Sequence, residues 1–243
     1  MGIFDRYHFD NFAYSMTRGR LTSGVDYANE VWRILSQGFA DTVYMVFFSA
    51  LFAVFIGLII GVALNVTGPA GICEQRLTNR ILGFIVNTGR SIPFVIVIIA
   101  VFPLSRFIVG TSIGRTAAIV PLTIAAIPFV ARVVEAALAE LGGGIVEAAT
   151  STGASPLQII FRVLLPEAAP GLVLGVTLTV INLISFSAMA GLIGGGGLGF
   201  TAHRWGLQEF RTDILVYTII ILVILVQVIQ ITGQAISRKL DKR

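Results

Sequence analysis

The chain has 243 residues, of which 56% are hydrophobic and 12% charged, with a formal charge of +4. Soluble domains carry about 25% charged residues, so this balance, with a mean hydropathy of +0.89, places the chain in a bilayer and excludes an ordinary soluble fold. The positive charges form no basic stripe of the kind nucleic acid requires; one cysteine, Cys73, and two histidines, His8 and His203, leave no intrachain disulfide, no Cys-based metal site and no histidine-rich centre.

Residues 1–38 read as an N-terminal extension, without the continuous apolar core of a cleavable signal peptide. Positions 1–24 are rich in Phe, Tyr and charge and carry no functional pattern. Further on, Ala28, Val31, Trp32, Leu35 and Phe39 recur at helical spacing, with Asn29, Glu30, Arg33 and Ser36 between them. The pattern predicts an amphipathic helix in the membrane interface with Trp32 at headgroup level. It is read as a lead-in to the first span rather than as a partner site.

Within a membrane domain of 39–237, five segments approach the ~20 apolar residues that cross a hydrocarbon core. They are 42–66, 81–104, 116–138, 168–193 and 214–236. The expected fold is all-α, a polytopic membrane protein of five transmembrane helices. Gly57 and Gly61 form a GxxxG in the first span, a spacing that permits close helix approach. Pro121, Pro128 and Arg132 interrupt the third; neighbouring helices or a watery cavity can satisfy such breaks.

A basic tail, 238–243, favours a cytoplasmic C-terminus. Its Arg238, Lys239, Lys242 and Arg243 join Arg76, Arg80, Arg90, Arg132 and Arg162 to put nine cations inside. Eight fall outside: Arg6, Arg18, Arg20, Arg33, Arg106, Arg115, Arg204 and Arg211. On this narrow margin the N-terminus is expected outside. Arg90 and Arg132 then lie toward the cytoplasmic ends of their spans; Arg90 is read as snorkelling to the interface, with lining a vestibule or pairing with a carbonyl as the alternatives, and Glu135 and Glu140 read as helix-end charges.

Between the third and fourth spans lies a polar helical hairpin, 144–166. Glu147, Ala148 and Ala149 continue a helix, and Gly153 supplies the left-handed residue that ends one. Ser155-Pro156-Leu157-Gln158 is a helix start with N-cap, first-position proline and capping box together. Leu157, Ile160, Phe161 and Leu164 form the expected apolar face, and Pro166 closes the element before the next span. Two short helices meeting at a defined corner suit docking and force transfer.

The fourth span carries Asn182, Ser185, Phe186, Ser187 and Met189 among small residues. Asn182, Ser185, Ser187 and Met189 are candidates for lining or gating a path, with Met189 as a flexible plug; interhelical packing explains the same residues. Gly194 to Gly197, with Leu198 and Gly199, read as a tight external turn, because no Lys-Ser/Thr follows as in a phosphate loop. The cores of spans one, four and five contain no ionisable residue of the kind proton- or sodium-driven carriers often use. The chain carries no intramembrane Asp pair and no HExxH, and His203 is not placed to pair with Ser185 or Ser187, so no enzymatic role and no cofactor is expected.

The order EAA, three residues, Gly, nine residues, hydrophobic-x-Leu-Pro resembles the signature of binding-protein-dependent ABC importer permeases. The matching positions are Glu147, Ala148, Ala149, Gly153, Leu165 and Pro166, and Val163 stands where that family usually has Ile. The runs GRSIPFVIVI, VGTSIGRTAAIVPLT, PFVARVVEAAL and SAMAGLIGGGGLG are similar to the methionine-importer permeases, so the resemblance covers most of 30–240. It implies a five-span, type I permease fold in the bacterial inner membrane, working as two copies with two cytoplasmic ATPase subunits. It also implies an extracytoplasmic lipoprotein that delivers methionine, and a hairpin, with Leu157 and Phe161 as apolar anchors, that couples to the ATPase. The alternatives are a permease for another amino acid or small organic solute, and an ATP-independent channel or secondary carrier.

Overall fold

The structure, a computed structural model, describes residues 24–69 and 71–241. The expectations for positions 1–23 and for Lys242 and Arg243 lie outside the described residues. Among those described, the chain is helical, with four helices long and apolar enough to cross a membrane and one bent pair that has the length and hydropathy of a fifth when its two helices are taken together.

The first helix, α1, spans Gly24–Thr67. No proline occurs between those ends, so nothing interrupts the hydrogen-bond ladder. At 1.5 Å per residue it is about 66 Å long, roughly twice the ~30 Å hydrocarbon core. The helix passes through position 38 without a break, so the boundary drawn there between an interfacial helix and a span falls inside one element. Its packed face also differs from the expected stripe. Val31, Ile34 and Leu35 are buried against Trp205 and Ile214, while Trp32 is 74% exposed and Phe39 also faces outward. The inward face continues through Asp41, Thr42, Met45, Ser49 and Ala53, and the outward one through Phe47, Leu51, Phe55 and Ile59. From Asp41 to Ala53 the inward face is mostly small or polar, with Met45 among it, and the outward face is large and apolar, as when lipid is as apolar as the core.

The expected second span is not one helix. It is α2 (Arg76–Ser91) followed by α3 (Phe94–Val109), bent by 107°. Pro93 causes the corner. It forces Ile92 into extended backbone (φ −84°, ψ 124°), and its carbonyl then accepts from the N–H groups of Ile96 and Val97 to start α3.

Helix α4, Arg115–Ala139, contains Pro121 and Pro128 without breaking. Half of its apolar window is buried, against 11% for the last helix, so α4 is the central column of the bundle. The GxxxG of α1 is spent on it. A Cβ at Gly57 would stand 2.6 Å from Val130 Cβ, and one at Gly61 2.6 Å from the Ala131 carbonyl. Gly89 of α2 similarly leaves room for the Pro128 ring.

After a short α5 (Gly143–Ser151) and α6 (Pro156–Ile159), α7 spans Ala169–Ala190. A glycine turn leads to α8 (Gly197–Thr201), and α9 (Thr212–Leu240) closes the bundle. In that turn Gly196 and Gly197 both have φ +80°, and the Leu198 N–H donates to Thr42 Oγ1 at 2.8 Å. The tight-turn reading of this glycine run matches the geometry.

Filling one of the glycine holes on α1 tests the packing account. Gly57→Val should lower the stability of the detergent-purified chain by about 1–3 kcal/mol, measured by thermal unfolding. Gly83→Ala, in α2 with no atom within 4 Å of its Cβ position, should leave it unchanged or slightly raised.

Candidate functional site

The hairpin is built as its sequence predicts up to its corner. The hydroxyls of Thr150, Ser151 and Thr152 donate to carbonyls of the preceding turn in α5. Gly153 then adopts φ +76° and its N–H donates to the Thr150 carbonyl at 2.9 Å. A side chain there would be strained even with open space around it. Ser155 caps α6, Pro156 fills its first position, and the Ser155 N–H donates to Gln158 Oε1 at 2.9 Å.

Beyond the corner the apolar face departs from the expected one. The chain widens into π turns over Ile160–Leu164, where the Leu165 N–H reaches the Ile160 carbonyl five residues back. A five-residue repeat places Ile159 and Leu164 on the same side. Both are fully buried, in the cluster that also holds Val134, Leu138 and Leu183 of the bundle. Leu157 and Phe161 instead point outward, 67% and 66% exposed. The predicted stripe of Leu157, Ile160, Phe161 and Leu164 thus divides into an outer pair and an inner anchor, and Ile159, which it omitted, carries the inner contact.

The other hairpin residues follow the same division. Glu147, Ala148 and Pro166 are exposed, whereas Ala149 and Leu165 are half-buried against the core. The Glu147 carboxylate has no hydrogen-bond or ion-pair partner among the described residues. A charge and two large apolar groups therefore face away from a firmly anchored element.

The candidate path residues of α7 do not share one face. Asn182 borders a cleft of about 200 Å³ between the α2–α3 corner, α4 and α7. Ser185 and Met189 continue from it along the exposed side of the helix. Ser187 is buried and its hydroxyl donates to the Ile184 carbonyl at 2.7 Å, so it belongs to the packed face. Within the cleft Phe94 stacks on Phe186, centroids 4.5 Å apart and planes 8° apart. Arg90 borders the same cleft. Of the readings open for Arg90, lining a vestibule fits this position, and the bend at Pro93 sets Phe94 of α3 against the same cleft.

Three arginines of the bundle are tied to carboxylates. Arg132 binds Glu135 at 2.5 Å and Asn87 at 2.8 Å, joining α4 to α2. Arg115 binds Asp41 at 2.7 Å. Arg211 bridges Glu30 at 2.5 Å and Asp213 at 3.0 Å, fixing the start of α1 to the start of α9. Burial draws the Arg211 guanidinium down, but the Asp213 hydrogen bond and the charge of Glu30 outweigh it and hold it above its ordinary value. Glu30 and Arg211 are too far apart in the chain for any sequence pattern to pair them. Among the described residues no cluster of His, Cys, Asp and Glu could hold a metal ion.

A polytopic helical bundle with an anchored, outward-facing hairpin is the architecture of a transport permease. The chain belongs to the family of inner membrane components of binding-protein-dependent transport systems, whose pattern matches residues 53–243. It is a multi-pass inner-membrane transport subunit and not itself an enzyme. It is similar to the probable D-methionine transport system permease protein MetI of Vibrio cholerae, with 50% identity over 84% of this chain and 90% of that one. The protein of the same name from Pasteurella multocida is 45% identical over 88% and 98% of the two chains. Among solved structures, a chain of the MetNI methionine ABC transporter in an inward-facing conformation superposes with a TM-score of 0.85 at 45% identity, covering 86% of this chain and 97% of that one.

The two-faced hairpin makes a stability prediction. Ile159→Ala should destabilise the purified chain by about 2–5 kcal/mol, the cost of emptying a closed core site. Leu157→Ala and Phe161→Ala should stay within about 0.5 kcal/mol of the native chain, as exposed substitutions do. Thermal unfolding of the three variants checks both.

Proposed function

We propose that this chain is the permease subunit of an ABC importer and forms the translocation path for methionine, D-methionine included. The observation that carries the reading is the hairpin: clamped inward by Ile159 and Leu164, it presents Glu147, Leu157 and Phe161 outward, and Glu147 has no partner among the described residues. The names of the relatives from Vibrio cholerae and Pasteurella multocida support the substrate, and the MetNI likeness supports an assembly with a separate ATPase.

In this reading two copies of the chain pair in the membrane, with the N-terminus outside and the C-terminus in the cytoplasm. Each hairpin docks into one of two ATPase subunits, and an extracytoplasmic lipoprotein hands over the substrate. The chain has no phosphate loop, so hydrolysis belongs to the partner. ATP-driven motion of the ATPase displaces the hairpin. Because Ile159 and Leu164 share a core with α4 and α7, the displacement moves the helices that line the path. Asn182, Ser185 and Met189 line it, and the unbranched Met189 can re-pack as the path opens and closes. Ser187 supports that helix from behind.

Two substitutions test the docking role. Gly153→Val penalises positive φ and misaligns the two hairpin helices, and Glu147→Lys reverses the outward charge. Both variants should insert at native abundance, lose ATPase co-purification and import less labelled methionine. Full association and full uptake in both would remove the coupling role.

A further inference from the structure

We infer that the cleft at the α2–α3 corner is a transit site for an amino-acid zwitterion, with Arg90 receiving its carboxylate. The inference rests on the importer reading above and adds the residue and the chemistry by which the permease itself handles the substrate.

The first argument is charge. Arg90 is permanently cationic and borders the cleft, yet it makes no hydrogen bond or ion pair with any described residue. Helices α2, α3 and α7 contain no Asp or Glu at all, and α4 contains only Glu135. Glu135 is already bound to Arg132. Among the side chains that line the cleft Arg90 is the one charged group, and no carboxylate of the described residues pairs with it. The site is tolerable when empty because Arg90 lies in the last turn of α2, where the helix dipole favours a cation.

The second argument is the lining. The stacked Phe94 and Phe186 rings and the small Ala125 and Ala126 give an apolar wall, and the Asn182 amide offers both a donor and an acceptor. A carboxylate on Arg90, an ammonium near the Asn182 carbonyl oxygen and an apolar side chain along the rings would satisfy all three. A thioether suits that wall, since sulfur packs favourably at aromatic edges. The volume, about 200 Å³, lies below the about 300–1,000 Å³ of sites for drug-sized ligands and suits a small solute. Arg90 is itself exposed at the cleft mouth, so it stays partly hydrated and holds a carboxylate weakly enough to release it.

The test uses the complete transporter, this chain with its ATPase and binding protein, in proteoliposomes. Labelled methionine uptake is compared for the native chain, Arg90→Ala and Arg90→Lys, with membrane abundance and two-copy assembly measured alongside. Losing a hydrogen bond to a charged group should cut uptake about 10-fold to 100-fold in Arg90→Ala, and Arg90→Lys should recover part of it. Equilibrium binding to the permease–ATPase complex, without binding protein, then compares methionine with its carboxamide. Arg90-dependent binding should appear for methionine and be absent for the amide. Native uptake by Arg90→Ala, or equal Arg90 dependence for acid and amide, would overturn the site while leaving the importer reading intact. Dissociation of the Arg90→Ala variant into single copies would overturn it too, by making Arg90 a contact between copies. A native complex that does not import methionine would remove the importer reading and the site together.

Discussion

Five glycines from three helices open toward one column, and the bundle depends on those contacts. Gly57 and Gly61 of α1, Gly89 of α2, and Gly171 and Gly175 of α7 each stand where a Cβ would meet α4, at Val130, Ala131 or Val134, Pro128, Ala137 and Val133. Lipid supplies no hydrophobic force to hold helices together, so close backbone approach and dense van der Waals contact must do it. Large α4 side chains enter gaps where three neighbours carry only hydrogen. The arrangement also explains how Pro121 and Pro128 sit inside α4: the helix is gripped from several sides, and its breaks are contained by the packing around it.

That column is what gives the hairpin mechanical meaning. The hairpin follows α4 in the chain after Gly142 and returns its own Ile159 and Leu164 to the cluster that holds Val134 and Leu138. A push on the outer face is thus delivered to α4, and from α4 to α1, α2 and α7 through the glycine contacts. Interiors packed this way transmit strain because they have little free volume to absorb it. The cleft by Arg90, bounded by α2, α4 and α7, lies among the elements that such a push would move.

Much of this was legible in the sequence. Capping signals are local, so Gly153, Ser155, Pro156 and Gln158 could be placed without a structure, and four of the five spans follow from length and hydropathy. The GxxxG pair was visible as a packing device, although its partner was not. What escaped depends on three-dimensional context. Pro93, Pro121 and Pro128 all interrupt apolar runs, yet only Pro93, exposed at a corner, bends the chain sharply, whereas Pro121 is buried in the bundle. The π turns at Ile160 shift the helical register by a fraction of a turn, enough to set Leu164 inside beside Ile159 and away from Leu157 and Phe161. The stacking of Phe94 on Phe186 beside Arg90 follows the bend, and the Ser187 hydroxyl turns back onto its own helix, on the packed face.

The measurement that bears most directly on force transfer leaves the docking face untouched and loosens its anchor. In the assembled transporter, Ile159→Ala with Leu164→Ala keeps Glu147, Leu157 and Phe161 in place while emptying the contact between hairpin and core. Uptake of methionine per ATP hydrolysed is the quantity to read, with ATPase co-purification as the check on docking. The account predicts retained association and continuing hydrolysis with a several-fold fall in that ratio. An unchanged ratio in a complex that still assembles would contradict it.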